Sequence, residues 1–252
     1  MSVIQDSIRP RTRLPWLFSQ LVLLVTGAFC LGAVLLAAAG DSVWTAPPTV
    51  AMTALLAGLV LPVLAAWSVL RRSPVFLTSA DRFTLGRGVL AGGCATLATL
   101  VAGGILPAQS WLIVFLAVPA ALLDAVDGWV ARRSGTCNAY GARLDMETDA
   151  AFLMILSLPA AFVVGPWVLL IGAMRYLFVA ASWFRPALSG TLEYSAFRRV
   201  VAAIQSIALI GVLVPFVPTW LATVFAGAAL SLLLISFSRD IYTLEQSHAR
   251  QK

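Results

Sequence analysis

Long apolar runs dominate the chain, and short segments with charged residues, Pro or Gly separate them. They cover about 14–39, 48–70, 84–106, 108–131, 144–163, 166–184, 198–216 and 218–238. A helix needs roughly 20 residues to cross a bilayer, and most of the runs are close to that length. The runs lack the alternation of a barrel strand, so we predict helices. The pattern predicts an all-α polytopic membrane protein with about eight spans, and Gly165–Pro166 is the least marked boundary between two of them.

Composition agrees with this prediction and removes several classes of function. Hydrophobic residues make up 60% of the 252-residue chain and charged residues only 11%, whereas a soluble domain has about 45–50% and about 25%. Eight spans leave no room for a soluble catalytic domain, so any chemistry must take place at the membrane. A single histidine, His248, and three scattered cysteines argue against His-based triads and most zinc sites.

The positive charges indicate how the chain crosses the membrane. The chain carries a net charge of +6, which we assign to the cytoplasmic loops and not to a nucleic-acid partner. With a cytoplasmic N-terminus, the loops on the opposite side, 40–48, 106–109, 164–166 and 214–218, contain no Lys or Arg. We therefore predict a multi-pass protein of the cell membrane with both termini in the cytoplasm.

The acidic residues are concentrated in one segment. Five of the 11 acids lie within 124–149. Asp124 and Asp127 are three residues apart and Asp145 and Asp149 are four apart, so each pair shares one helix face. A polar turn over 134–138 would join the two helices into a hairpin and bring the four carboxylates together at the cytoplasmic border.

Such a cluster is costly at a membrane unless cations neutralise it. Carboxylate oxygens suit hard divalent cations, and Mg²⁺ is often shared with substrate phosphates. Gly128 lets a bulky group approach the backbone, and Arg132 can pair with a phosphate. Glu147 points away from the Asp145–Asp149 face. The alternative, acids that merely pair with neighbouring arginines, is disfavoured because the chain contains so few acids.

These residues resemble a known signature. The pattern is Asp124-x₂-Asp127-Gly128-x₂-Ala131-Arg132-x₈-Gly141-x₃-Asp145-x₃-Asp149. It is similar to the signature of the CDP-alcohol phosphatidyltransferases, and the resemblance covers about residues 80–240. It implies a six-helix membrane core over 73–241, preceded by a basic tail and two additional helices in 1–72 and followed by a cytoplasmic tail in 242–252.

The resemblance implies a reaction and a set of roles. Family members transfer a phosphatidyl group from CDP-diacylglycerol, or a related CDP-alcohol, to a hydroxyl and release CMP. The four aspartates would hold Mg²⁺ or Mn²⁺, usually two ions, and Asp149 would also be the general base. Contacts with the CDP-alcohol would come from the residues at five matching positions: Thr84, Arg87, Gly128, Arg132 and Asn138. Thr84 and Arg87 belong to a family pattern over 81–87, in which Asp81 stands here in place of Asn.

Three arginines are candidates for binding the acceptor. Arg175 interrupts an apolar stretch, and a charge at such a place is functional by default. Arg198 and Arg199 begin the following run, in a region where relatives carry basic residues. Alternatively, Arg175 forms an ion pair with a motif aspartate. Arg198 and Arg199 would then only mark the cytoplasmic side of the membrane. Together the three arginines favour a phosphorylated polyol, such as glycerol 3-phosphate or inositol phosphate. Membrane lipids are expected partners, and a homodimer stays open because many relatives are dimers.

Two other classes of protein also use acidic residues in a membrane. Membrane prenyltransferases bind a diphosphate through metals, but their two acidic motifs lie far apart, whereas the four aspartates here lie within 26 residues. A non-enzymatic transporter or scaffold could use the acids as an ion site. Transporters usually contain repeats and broken helices, and neither is evident in the sequence.

Overall fold

The computed structural model describes residues 14–40, 43, 46–71, 79–134, 139–185 and 196–250. Within these ranges the chain forms eight long α-helices and one 3-10 turn, and it contains no strand. The elements are α1 (Leu14–Ala38), α2 (Pro48–Leu70), α3 (Ser79–Ala102), α4 (Trp111–Ser134), α5 (Ala139–Val164), the 3-10 turn (Pro166–Val168), α6 (Leu169–Phe184), α7 (Ala196–Val212) and α8 (Thr219–Arg250). The predicted all-α fold is confirmed.

Most of these helices are long and apolar enough to cross a membrane. The segments that meet this description are Ser19–Ala38, Pro48–Leu70, Arg82–Ala102, Arg143–Val164, Pro166–Phe184 and Thr219–Thr243. Shorter apolar segments, Trp111–Asp124 and Val200–Val212, lie in α4 and α7. Each of the eight apolar runs in the sequence thus corresponds to one described helix, as expected of a polytopic membrane protein.

The boundary between α5 and α6 depends on one glycine. Gly165 has a φ of +109°, a conformation that side chains rarely adopt. Its N–H donates to the carbonyl of Ala161 (3.0 Å), which closes the last turn of α5. The indole N–H of Trp167 then donates to the carbonyl of Val164 (2.9 Å). This local geometry reverses the chain between two spans within a few residues.

The chain divides into two compact units, and α3, α4 and α5 contribute to both. The first unit comprises residues 1–96 and 119–148, and the second comprises residues 97–118 and 149–252. Among the candidate spans, α3 is the most enclosed, with 72% of its apolar window buried, whereas the values for the other spans lie between 17% and 39%.

The first unit has an apolar core built from four helices. Its buried cluster consists of Leu21 on α1, Ala65, Ala66 and Val69 on α2, Leu85 on α3 and Leu144 on α5. Helices α2 and α3 approach each other at Gly58 and Gly92, where an added Cβ on Gly92 would collide with the carbonyl oxygen of Gly58. Small residues permit this close approach of two backbones.

Two side-chain amides connect segments of the second unit. Gln205 on α7 is fully buried, and its amide donates to the carbonyl of Ala229 on α8 (2.9 Å). The amide of Gln109 donates to the carbonyls of Val212 (3.1 Å) and Val217 (2.9 Å). These bonds connect the segment before α4 to the turn between α7 and α8. They satisfy polar groups that the bilayer could not satisfy.

We expect Gly165→Ala to lower the free energy of unfolding by about 1–3 kcal/mol, because the backbone there is accessible almost only to glycine. The added Cβ would also lie 3.2 Å from the Trp167 ring. Thermal unfolding in detergent, followed by circular dichroism, measures the change. Gly27→Ala is the control, since a Cβ at Gly27 meets nothing within 4 Å. Equal melting temperatures for the two variants would contradict this account of the turn.

Candidate active site

The motif aspartates lie on two helices of the described structure. Asp124 and Asp127 lie on α4, and Asp145 and Asp149 lie on α5. Residues three or four positions apart are neighbours on a helix surface. Asp149 therefore lies one turn beyond Asp145 on the same continuous helix. The side chain of Asp127 is outside the described part of the structure.

The three carboxylates whose side chains the structure describes are close together. One oxygen each from Asp124, Asp145 and Asp149 lies within 4.8 Å of the other two. The Asp124 side chain is exposed, and the other two residues are half-buried. The group is therefore accessible to a ligand, although its backbone belongs to apolar helices.

Packing inside the first unit fixes the rotation of α5. Leu144 and Thr148 are buried on one face of the helix, and the Thr148 hydroxyl donates to the carbonyl of Leu144 (2.8 Å). Asp145 follows Leu144 directly and so lies at the edge of the buried face. Glu147 is exposed and does not belong to the carboxylate group.

A buried arginine joins the two aspartate helices. Nη1 of Arg87 on α3 donates to Oδ1 of Asp124, and Nη2 donates to Oδ1 of Asp145 (2.6 Å). The Arg87 side chain is only 1% exposed, whereas those of Asp124 and Asp145 are 45% and 38% exposed. Thr84, one turn earlier on α3, is also buried. The sequence indicated a nucleotide contact for Arg87 but not this double ion pair.

Two further predicted site residues lie on α4, and one lies on α7. Gly128 and Arg132 follow Asp127 on α4, and Arg199 lies in the first turn of α7. The side chains of Arg132 and Arg199 are outside the described part of the structure, and Asn138 lies outside the described residues.

One arginine of the second unit forms an ion pair that the sequence did not predict. Arg175 is half-buried on α6. Nη1 of Arg198 on α7 lies 3.6 Å from Oδ2 of Asp240 on α8. Beside this pair, the guanidinium of Arg239 lies 5.8 Å from the centre of the Phe197 ring. The sequence signal that could have indicated a role for Asp240 is its position next to Arg239, just after the last apolar run.

Comparison with known families identifies the family of this chain. The model of the family described as CDP-alcohol phosphatidyltransferase matches residues 77–235, which is more than half of the chain and includes every aspartate of the group. The chain belongs to this family. No significant match exists among the curated proteins or the solved structures. Helices α1 and α2 precede the matched region of this CDP-alcohol phosphatidyltransferase.

Membership of the family determines the type of reaction. A CDP-alcohol phosphatidyltransferase is an enzyme of phospholipid synthesis that moves a phosphatidyl group from a CDP-alcohol to an alcohol acceptor. Its multi-pass architecture agrees with substrates that carry lipid tails. The aspartate group lies near the N-terminal end of α5 and towards the C-terminal end of α4, away from the middle of either apolar segment.

The family is metal-dependent, and the residues of this CDP-alcohol phosphatidyltransferase fit a cation. Mg²⁺ binds oxygen at about 2.0–2.1 Å, so two oxygens on opposite sides of one ion are about 4 Å apart. The three carboxylate oxygens, all within 4.8 Å of one another, could reach one ion after a small adjustment. Carboxylate ligands suit hard cations such as Mg²⁺ and Mn²⁺.

We expect Asp145→Asn to destabilise the protein, because Arg87 would lose a charged acceptor while remaining buried. A hydrogen bond to a charged group contributes about 1.5–3 kcal/mol. Thermal unfolding in detergent without added metal measures the loss. Glu147→Gln, which removes an exposed carboxylate from the same helix, should lower the unfolding temperature less than Asp145→Asn does. The ion pair would not contribute to stability if both variants matched the wild type.

Proposed function

We propose that this enzyme transfers the phosphatidyl group of CDP-diacylglycerol to a phosphorylated polyol, such as glycerol 3-phosphate or inositol phosphate, and releases CMP. The observation that carries the proposal is the group formed by Asp124, Asp145 and Asp149 inside the region that matches the family. A diphosphate and several carboxylates come together stably only when cations lie between them.

The proposed cofactor is Mg²⁺ or Mn²⁺, with two ions at the site. Asp124, Asp127, Asp145 and Asp149 would hold them, since their positions match the family's metal ligands. When bound, the ions neutralise charge on the diphosphate and on the leaving oxygen. The pairing of aspartates from two helices supports this assignment, because it supplies oxygens from two directions.

Five residues are proposed to bind the CDP-alcohol. Gly128 removes a side chain where the nucleotide approaches α4, and Arg132 offers a planar pair of donors to a phosphate. Thr84 and Arg87 on α3 and Asn138 complete the set. The ion pairs of Arg87 with Asp124 and Asp145, together with the buried position of Thr84 one turn earlier on α3, support a donor site bounded by α3, α4 and α5.

The proposed chemical step is a single displacement at phosphorus. The acceptor hydroxyl oxygen forms a bond to the phosphorus that bears diacylglycerol, and the bond from that phosphorus to the oxygen of CMP breaks. Asp149 accepts the hydroxyl proton as general base. CMP leaves with the electron pair of the broken bond, so no oxidant or further reactant is needed.

The acceptor assignment rests on positive charge. Arg175, Arg198 and Arg199 would neutralise the phosphate of the acceptor, which a neutral acceptor such as inositol or serine would not require. In the described structure Asp240 lies beside Arg198. This arrangement supports a role for Arg198 in which its guanidinium is oriented and not merely exposed to solvent.

The proposed location is the cytoplasmic face of the cell membrane. The distribution of arginines between the loops supports cytoplasmic termini and a cytoplasmic active site. Lipid tails would stay in the bilayer while the headgroup chemistry faces the cytoplasmic nucleotide. A homodimer is compatible with this proposal. Family membership supports the transferase over a prenyltransferase, a transporter or a scaffold.

The decisive test is the release of CMP from CDP-diacylglycerol by purified protein with Mg²⁺ and a panel of acceptors. We expect activity with one phosphorylated polyol and a loss of about 10²–10⁴-fold in Asp149→Asn, which removes the general base. Glu147→Gln is the matched control, because it removes an exposed carboxylate from the same helix. Activity with serine or inositol alone would refute the acceptor assignment, and a fully active Asp149→Asn would refute the base.

A second prediction concerns the acceptor arginines. Arg175→Gln and Arg198→Gln should raise the KM for the phosphorylated acceptor by about 10–100-fold, since each removes a charged contact of about 1.5–3 kcal/mol. The KM for CDP-diacylglycerol should change much less. Steady-state kinetics with each substrate varied in turn measure both constants. Arg71→Gln, before the matched region, serves as the control. An unchanged acceptor KM in both variants would remove these arginines from the pocket.

A further inference from the structure

The difference in exposure between Arg87 and its two partners shows from which side the arginine reaches them. Its side chain is 1% exposed, whereas the carboxylates of Asp124 and Asp145 are 45% and 38% exposed. The guanidinium therefore contacts Oδ1 of each aspartate from the protein interior. A carboxylate has about four lone-pair positions, so these bonds leave room on the solvent side for a further ligand.

An arginine is suited to this position by its shape. Its planar guanidinium presents two Nη groups that donate to two different carboxylates, here one from α4 and one from α5. Nη2 also lies 3.4 Å from the backbone carbonyl of Asp145. A lysine would offer a single nitrogen on a flexible stem and could not span the two acceptors in the same way.

The helix that carries Arg87 is packed against the core of the first unit. Arg87 lies on α3, the most enclosed candidate span, and Leu85, two residues earlier, belongs to the same buried cluster as Leu144 on α5. The segment that carries Arg87 and the segment that carries Asp145 thus share one core. A guanidinium fixed in this way restricts the rotamers of both carboxylates.

We infer that Arg87 is a positioning residue for the metal ligands: it holds the Asp124 and Asp145 carboxylates at the spacing and orientation that a divalent cation requires. This inference rests on the proposed function and goes beyond a contact between Arg87 and the nucleotide. Residues that orient metal ligands from behind change metal affinity by about 10–100-fold when they are replaced.

The test measures metal binding without turnover. Purified protein in detergent is titrated with Mn²⁺, and free Mn²⁺ is followed by electron paramagnetic resonance, first with Mn²⁺ alone and then with CDP. We expect Arg87→Gln to weaken Mn²⁺ binding by about 10–100-fold. Arg87→Lys keeps the charge but not the bridge, so its binding should also be weaker than that of the wild type. Arg71→Gln, whose guanidinium contacts only the nearby Trp67 ring among its described contacts, should bind Mn²⁺ normally.

Coupling between variants separates positioning from general destabilisation. If Arg87 acts through the carboxylates, Arg87→Gln should weaken Mn²⁺ binding less in an Asp124→Asn background than in the wild type. An equal loss in both backgrounds would overturn the inference. Where Arg87→Gln does not fold, Arg87→Lys supplies the same comparison.

The remaining outcomes distinguish this inference from the proposed function. Wild-type Mn²⁺ affinity in both Arg87 variants, or tighter binding in either, would overturn the positioning role and leave the transferase proposal intact. Failure of the wild-type protein to bind Mn²⁺, with or without CDP, would overturn both the positioning role and the proposed metal site. Normal Mn²⁺ binding with no CMP release from any acceptor would overturn the proposed reaction alone.

Discussion

A charge inside an apolar helical bundle is stable only beside opposite charge, and in this protein that requirement concerns Arg87. Its guanidinium is almost fully buried and donates to aspartates of two other helices. Because the donor is on α3 and the acceptors are on α4 and α5, one set of ion pairs connects the three helices that carry most of the proposed CDP-alcohol and metal positions. The apolar environment thus requires the same ion pairs that bring these polar residues together.

Apolar packing next to these ion pairs sets the orientation of the helices that carry them. Leu85 and Leu144 occupy the common core of the first unit, and each is followed within two residues by a charged member of the site, Arg87 or Asp145. A helix turns by about 100° per residue, so a buried residue and its near neighbours face different surroundings. Burial of the two leucines therefore fixes the rotation of α3 and α5, and with this rotation the buried Arg87 meets the half-buried Asp145.

Much of this fold could be predicted from the sequence, because a bilayer demands long apolar helices and Gly165–Pro166 marks a turn. The ends of the helices were less predictable. Helix α3 starts at Ser79 and not at residue 84, and α8 continues to Arg250, since polar residues extend a helix beyond its apolar run. The spacing within 124–149 placed the aspartates on two neighbouring helices. It could not reveal the bonds to Arg87, which is 37 residues away from Asp124 and 58 away from Asp145. Which side of α3 turns towards these aspartates depends on tertiary packing.

The region that matches the family begins at residue 77, but the packed core of the first unit does not begin there. Leu21, Ala65, Ala66 and Val69, all earlier in the chain, form one cluster with Leu85 and Leu144. A chain shortened to the family's own limits would keep every residue of the motif and yet expose the inner wall on which Arg87 and Asp145 depend. In this chain, the packed core beside the aspartate group therefore begins well before the region that carries the family's signature.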